Sequence, residues 1–191
     1  MKRIIVFLSI ILLSMGFCFA EESIDKNAIK FTFLSWSSGS TKISYERAFP
    51  KINQSGEICV GLISAGYDKY QNHPRGFTVR YGHKFFLGNF DKAKPFDGFF
   101  LRPEYIFSRF TYDKKDSENT RALAQMNSLI GSFGYQKTFG KFIVDSWVGA
   151  GVAFGDPCET GYHHGFQLWD FLGSKNENIA LSFSIRLGWT F

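Results

Sequence analysis

The stretch "DPCETGYHH", residues 156–164, gathers side chains whose types could bind a metal: Asp156, Cys158, His163 and His164. Imidazole and thiolate suit zinc. The spacing argues against it. Adjacent histidines in an extended loop tend to point apart, and no two-cysteine spacing supports them, so neither a metal nor a cofactor is expected. Cys59 and Cys158 are the cysteines beyond residue 20, a number that permits one disulfide in an oxidising compartment without requiring it. The other side chains with chemical potential are ionisable groups set singly along the chain: Lys30, Lys42, Glu46, Arg80, Lys84, Arg102, Glu104, Asp145 and Arg186. What they can do depends on the elements that hold them.

Those elements read as strands. In "LSFSIRLGWTF", residues 181–191, Leu181, Phe183, Ile185, Leu187, Trp189 and Phe191 alternate with Ser182, Ser184, Arg186, Gly188 and Thr190. Successive side chains of a strand point to opposite faces, so a period of two gives one apolar and one polar surface. The alternation recurs over 28–35, 41–49, 57–67, 76–87, 99–111, 126–139, 142–154 and 178–191, separated by turn-favouring clusters of Gly, Asn, Asp, Lys and Pro. Eight strands follow. No long amphipathic helical pattern competes, although "NTRALAQMNSL", residues 119–129, could form a turn or two of helix before the sixth. Odd-numbered connections, among them 112–125 and 155–177, then lie at one end and even-numbered ones, including 50–56 and the tight Gly140-Lys141, at the other. The even connection 88–98 is long for a turn side, and the odd connection 36–40 short for a loop side.

The first twenty residues stand apart. Lys2 and Arg3 precede an apolar run from Ile4 to Phe19, which ends in Cys18-Phe19-Ala20 ahead of Glu21 and Glu22. That is the layout of a secretory signal cut after Ala20, and the run is shorter than the ~20 residues of a spanning helix. The expected domains are a cleaved signal peptide, 1–20, and one barrel domain, 21–191. The formal charge falls from +5 to +3 when Lys2 and Arg3 are lost, too mild for a nucleic-acid binder without a basic stripe. Aromatic residues make up 18% of the chain, Phe foremost, and they need a surface that tolerates rings.

Alternation by itself allows the apolar face to meet lipid outside or an apolar ligand inside, as in a soluble lipocalin-like barrel. The polar face separates the two. It carries small groups such as Ser128, Ser132, Gly134, Gln136 and Thr138 together with the mixed-sign ionisable set above. Buried charges persist only when paired. A side-chain-filled lumen follows, with Glu46, Arg80, Arg102, Glu104, Asp145 and Arg186 as its charge network and Trp147 adding bulk. Eight strands leave room for side chains rather than a wide channel. The outer face takes Ile43, Tyr45, Phe77, Tyr81, Leu101, Leu129, Phe133 and Val148, with rings at strand ends forming girdles. Two residues fit less easily: Pro103 removes a ladder donor inside the fifth strand and so demands a bulge, and His83 on the outer face belongs near the turn-side rim.

The N-terminal segment, "KISYERAF", "GFTVRYGHKFF", "GFFLRPEYIF" and "LSFSIRLGWTF" together resemble the small eight-stranded outer-membrane barrels of diderm bacteria, the OmpA-like and OmpX-like group, over nearly all of 21–191. The resemblance implies an all-β, eight-stranded antiparallel up-and-down transmembrane β-barrel in the bacterial outer membrane. It implies a monomer surrounded by outer-membrane lipid and lipopolysaccharide, inserted by the barrel assembly machinery through Trp189 and Phe191. The role implied is structural or surface-interacting and non-catalytic, carried by external loops, above all 155–177. Some barrels of this kind hydrolyse or transfer acyl chains of lipid A with a His, an acid and a hydroxyl. The corresponding candidates are His163 or His164, with Asp156, Glu159 or Asp170, and Ser108 or Ser174, although the local His-x-Ser-Asn arrangement of the lipid A deacylases is missing. A soluble periplasmic ligand-binding barrel is the third reading. With Cys59 at the turn-side start of the third strand and Cys158 in an external loop, an apolar band ~25 Å tall lies between them. A disulfide needs Cα atoms within about 7 Å, so both thiols are expected to be free.

Overall fold

A sheet of eight one-sided strands has two unpaired edges unless its first strand meets its last. In the computed structural model they meet. The structure describes residues 25–32, 35–36, 39–67, 73–88, 93–114, 120–156 and 179–191. The strands are β1 (Asn27–Thr32), β2 (Ser40–Phe49), β3 (Gln54–Ile63), β4 (Arg75–Leu87), β5 (Gly98–Asp113), β6 (Arg121–Phe139), β7 (Phe142–Gly155) and β8 (Ile179–Thr190). Each pairs antiparallel with the next, and β1 pairs with β8 to close the barrel. At that seam the backbones of Asn27 and Phe191 exchange hydrogen bonds of 3.1 and 2.9 Å. The N-terminal segment 1–20 lies outside the described residues.

Three expectations change. Residues 121–129 continue β6 instead of forming helix, in register with β5 from Asp113↔Arg121 through Tyr105↔Leu129. Ala and Leu favour helix when isolated, but here Ala124 packs inward with Phe110 and Ile63, and such burial overrides propensity. β3 starts three residues earlier than the alternation suggests and stops at Ile63. Asn53, in the left-handed region at φ 56°, makes the β2–β3 turn, and its side-chain amide donates to the Phe86 carbonyl at 2.8 Å. Pro103 sits in β5 without a bulge. The β4–β5 ladder passes from Gly82↔Glu104 directly to Phe85↔Leu101 in an unchanged register, while on its other side Pro103 faces Gly131 in β6. The missing donor is absorbed by skipped pairs on one side only.

The long β4–β5 connection is also accounted for. Phe96 folds back and is buried with Ala28, Ala48 and Ile143, filling the turn end of the barrel. Next to it, the Asp97 carboxylate accepts hydrogen bonds from the Thr138 backbone N–H at 2.7 Å and from Lys137 Nζ at 2.6 Å. The extra residues therefore close the barrel floor.

At the loop end the strands are uneven. β5 and β6 run to 16 and 19 residues, against 10 each for β2 and β3, so this hairpin projects beyond its neighbours. His83 lies near the turn end, opposite Gly56, where Nε2 is 2.9 Å from Gln54 Oε1 and the ring stacks on Phe49. A polar ring on the outer face thus finds polar company at the rim.

Candidate functional site

Strand parity puts one row of each strand inside, and closure then decides which rows meet. The inward rows carry the buried cations Lys30, Lys42, Arg80, Lys84, Arg102 and Arg186 and the buried carboxylates Glu46, Glu57, Glu104 and Asp145. They form two groups along the barrel axis.

The turn-side group centres on Asp145 of β7. Its Oδ2 accepts from Lys30 of β1 at 2.9 Å, Lys84 of β4 at 2.7 Å and Arg186 of β8 at 2.8 Å. Glu46 of β2 pairs with Lys30 and, at 3.1 Å, with Lys84, and it also accepts from the Ser55 hydroxyl. Glu57 of β3 pairs with Arg186 and stands 3.5 and 3.6 Å from Lys84 and Lys30. Gln136 of β6 offers its Oε1 to both ammonium groups. Three cations thus meet three carboxylates, all fully or almost fully buried. Trp147 roofs the cluster, its ring 4.3 Å from both the Arg102 and the Arg186 guanidinium carbons and its indole N–H donating to Ser182 Oγ at 3.1 Å. Guanidinium on an aromatic face is favourable, the more so where water is excluded.

The loop-side group is thinner. Glu104 of β5 pairs with Arg102 at 3.1 Å and with Arg80 of β4 at 3.5 Å, and accepts from Ser132 Oγ at 3.3 Å. Arg102 also reaches toward Glu57 at 3.9 Å, linking the groups. Lys42 of β2 faces inward beside them. Farther toward the loops the lining becomes apolar, with Ile106, Met126, Ile130, Ala153 and Ala180 in one cluster and Ile63, Phe110 and Ala124 in another.

Of the six network residues read from the sequence, Glu46, Asp145 and Arg186 fall in the turn-side group and Arg80, Arg102 and Glu104 in the loop-side group. Glu57, a central acid, escapes the sequence pattern because the third alternation begins at that residue. A signal exists all the same: Ile58, Val60 and Leu62 point out, which sends Ser55, Glu57 and Cys59 in. Carboxyl oxygens of Glu46, Glu57 and Asp145 come within 4.8 Å of one another, a spacing that could suit a cation. Lys30, Lys84 and Arg186 already neutralise them, so the trio reads as an ion-pair core.

The other candidates part company. Ser108 is buried in the lumen, its hydroxyl donating to Thr78 Oγ1 at 2.9 Å, not at the outer rim where a nucleophile is expected. Asp156 Oδ2 accepts from the Gln125 backbone N–H at 3.0 Å at the end of β7. Cys158, Glu159, His163, His164, Asp170 and Ser174 lie outside the described residues. Cys59 is a free, buried thiol in the middle of β3 rather than at its start, opposite Ser44 and Arg80. Trp189 is outward on β8 opposite Phe142, and Phe191 is exposed just beyond it.

The fold and lumen define the class: a closed eight-stranded antiparallel β-barrel with an ionic core. Comparison of the chain with protein-family models, curated proteins and solved structures found no match.

Proposed function

We propose that this protein is an integral outer-membrane β-barrel of the OmpA-like and OmpX-like kind, exported through a cleaved N-terminal signal. The observation that carries the reading is the inside-out distribution of polarity. Large apolar side chains stand exposed around the wall, among them Ile58, Val60 and Leu62 on β3, Tyr81 on β4, Leu101 and Tyr105 on β5, Leu129 and Phe133 on β6, Val148 and Val152 on β7 and Phe183 and Ile185 on β8. The charges are within. Leaving that much apolar wall in water would forfeit about 25 cal/mol for every Å², whereas a closed barrel has no unpaired ladder groups to offend lipid. A soluble barrel built for an apolar ligand would reverse the two faces.

Charged and aromatic side chains at the two ends of the wall support the same reading. Exposed Arg47 stands near the turn end, and Arg75, Arg109 and Arg121 near the loop end of the β4–β5–β6 wall. The turn-end rim is rich in exposed rings, with Phe49, Phe85, Phe99, Tyr135, Phe139, Phe142, Trp189 and Phe191. In this reading the barrel is non-catalytic and monomeric. Its surroundings are outer-membrane lipid and lipopolysaccharide, Trp189 and Phe191 are read by the assembly machinery, and the loop end carries any contact with the outside.

Envelope fractionation combined with gel mobility tests it. The protein should pellet with outer membranes, resist high-salt and carbonate extraction, and migrate differently before and after boiling. A mature chain that stays soluble and monomeric without detergent overturns the reading. Lipid A mass spectra unchanged by loss of the gene support the non-catalytic part, and a changed acylation pattern overturns that part alone.

A further inference from the structure

The two lumen groups differ in charge balance. Around Asp145 the cations Lys30, Lys84 and Arg186 are matched by Glu46, Glu57 and Asp145, whereas Lys42, Arg80 and Arg102 have one carboxylate of their own, Glu104, beside the 3.9 Å reach of Arg102 to Glu57. Among the described residues no hydrogen bond or ion pair engages the Lys42 ammonium, and its principal charged neighbour is another cation, Arg80. The register brings them together: Lys42 is opposite Gly61 on β3, and Arg80 is opposite Cys59, one inward step away on the same strand. Gly61 leaves room for the Lys42 stem, since a Cβ there would collide with Lys42 Cγ and Thr78 Cγ2.

Two like charges in a confined lumen need an opposite charge, water, or the loss of a proton from the ammonium. Access is graded. Lys42 and Arg80 keep 8% and 7% of their surface exposed, while Lys30, Lys84 and Arg186 keep none. A water-sized species can therefore touch the first two and cannot touch the turn-side cluster. The neighbouring lining of Ile63, Ile106 and Phe110 is apolar, which selects against multiply charged oxyanions, because desolvating an ion becomes far costlier as its charge grows. We infer that the loop-side half of the lumen binds one small monovalent inorganic anion, of the size of chloride, between Lys42 and Arg80.

The inference needs only the closed barrel and does not depend on which solvent covers its outer wall. The test is the chloride-35 NMR linewidth of the full chain folded in zwitterionic detergent, titrated with sodium chloride. Wild type should give a saturable excess linewidth. That excess should vanish in Lys42→Met and in Lys42→Glu, the second supplying Arg80 with a carboxylate of its own, and should persist in Lys51→Met, at the exposed β2–β3 turn. Each variant is first shown to be folded by its β-sheet circular dichroism and cooperative thermal unfolding, and either Lys42 variant suffices if the other fails. A wild-type linewidth that never saturates, or one that is the same in the folded Lys42 variants, overturns the inference.

Discussion

The two halves of the lumen use the same side-chain types to different ends. On the turn side, β1, β2, β3, β4, β7 and β8 each send one charge to a common point, and Asp145 alone accepts from three cations. On the loop side a single carboxylate, Glu104, serves Arg80 and Arg102 while Lys42 stands apart. The contrast locates the rigid part of the molecule. A charge-balanced, dry cluster locks six strands against one another and gives each member several partners, so its loss leaves buried charges stranded. A group in excess charge that keeps some exposed surface is left open to a mobile counter-ion. The floor is closed twice, by this cluster and by Phe96 below it; the loop-side half has the two pairs of Glu104 and then an apolar lining.

Disrupting the turn-side cluster at its centre should have the greatest consequence. Asp145→Asn leaves Lys30, Lys84 and Arg186 without the negative charge they share, and urea unfolding in lipid vesicles should show a loss of about 3–5 kcal/mol. Glu104→Gln comes next, at about 2–3 kcal/mol in the same assay, because Arg80 retains contact with water while Arg102 does not; if it equals Asp145→Asn, the loop-side half is as dry as the turn side. Lys42→Met probes the contrast from the other direction. Removing a cation that no side chain pairs should shift stability by less than ~1 kcal/mol, where Lys30→Met, within the paired cluster, costs several times more; equal losses would show that Lys42 has a side-chain partner in the folded barrel. Weakest of all is Asp113→Asn at the exposed loop-end rim, where pairs of 3.2 Å to Arg121 and 3.1 Å to His73 are largely solvated. Its effect should stay under ~1 kcal/mol and shrink further at high salt.

The rows that face the lumen are legible in the chain itself. Ser182, Ser184 and Arg186 are separated by Phe183 and Ile185, and no fold made of strands can put both sets on one side. The eight strands and the polar interior follow from that parity. Boundaries are harder to read. The alternation marks β3 three residues late because its first residues, Gln54, Ser55 and Gly56, carry no apolar period, and the start of β6 reads as helix because Ala122, Leu123 and Ala124 look helical until Phe110 lies beside them. For Pro103 the local pattern demands a bulge, and the barrel has a lower-cost answer in two skipped pairs on one side of β5.

Direction is therefore a property of the chain alone: which side chains point in, which point out, and that the inward charges are of mixed sign. Company is not. Lys30 and Asp145 are 115 residues apart and meet because β1 closes on β8, which sits beside β7. That contact depends on the stagger accumulated around the whole barrel, and a shift of one residue at any of the eight ladders would turn a row of charges from the lumen to the wall. Each local alternation is blind to that total, so the split into a neutral turn-side cluster and a cation-rich loop-side one exists only once the ring is closed.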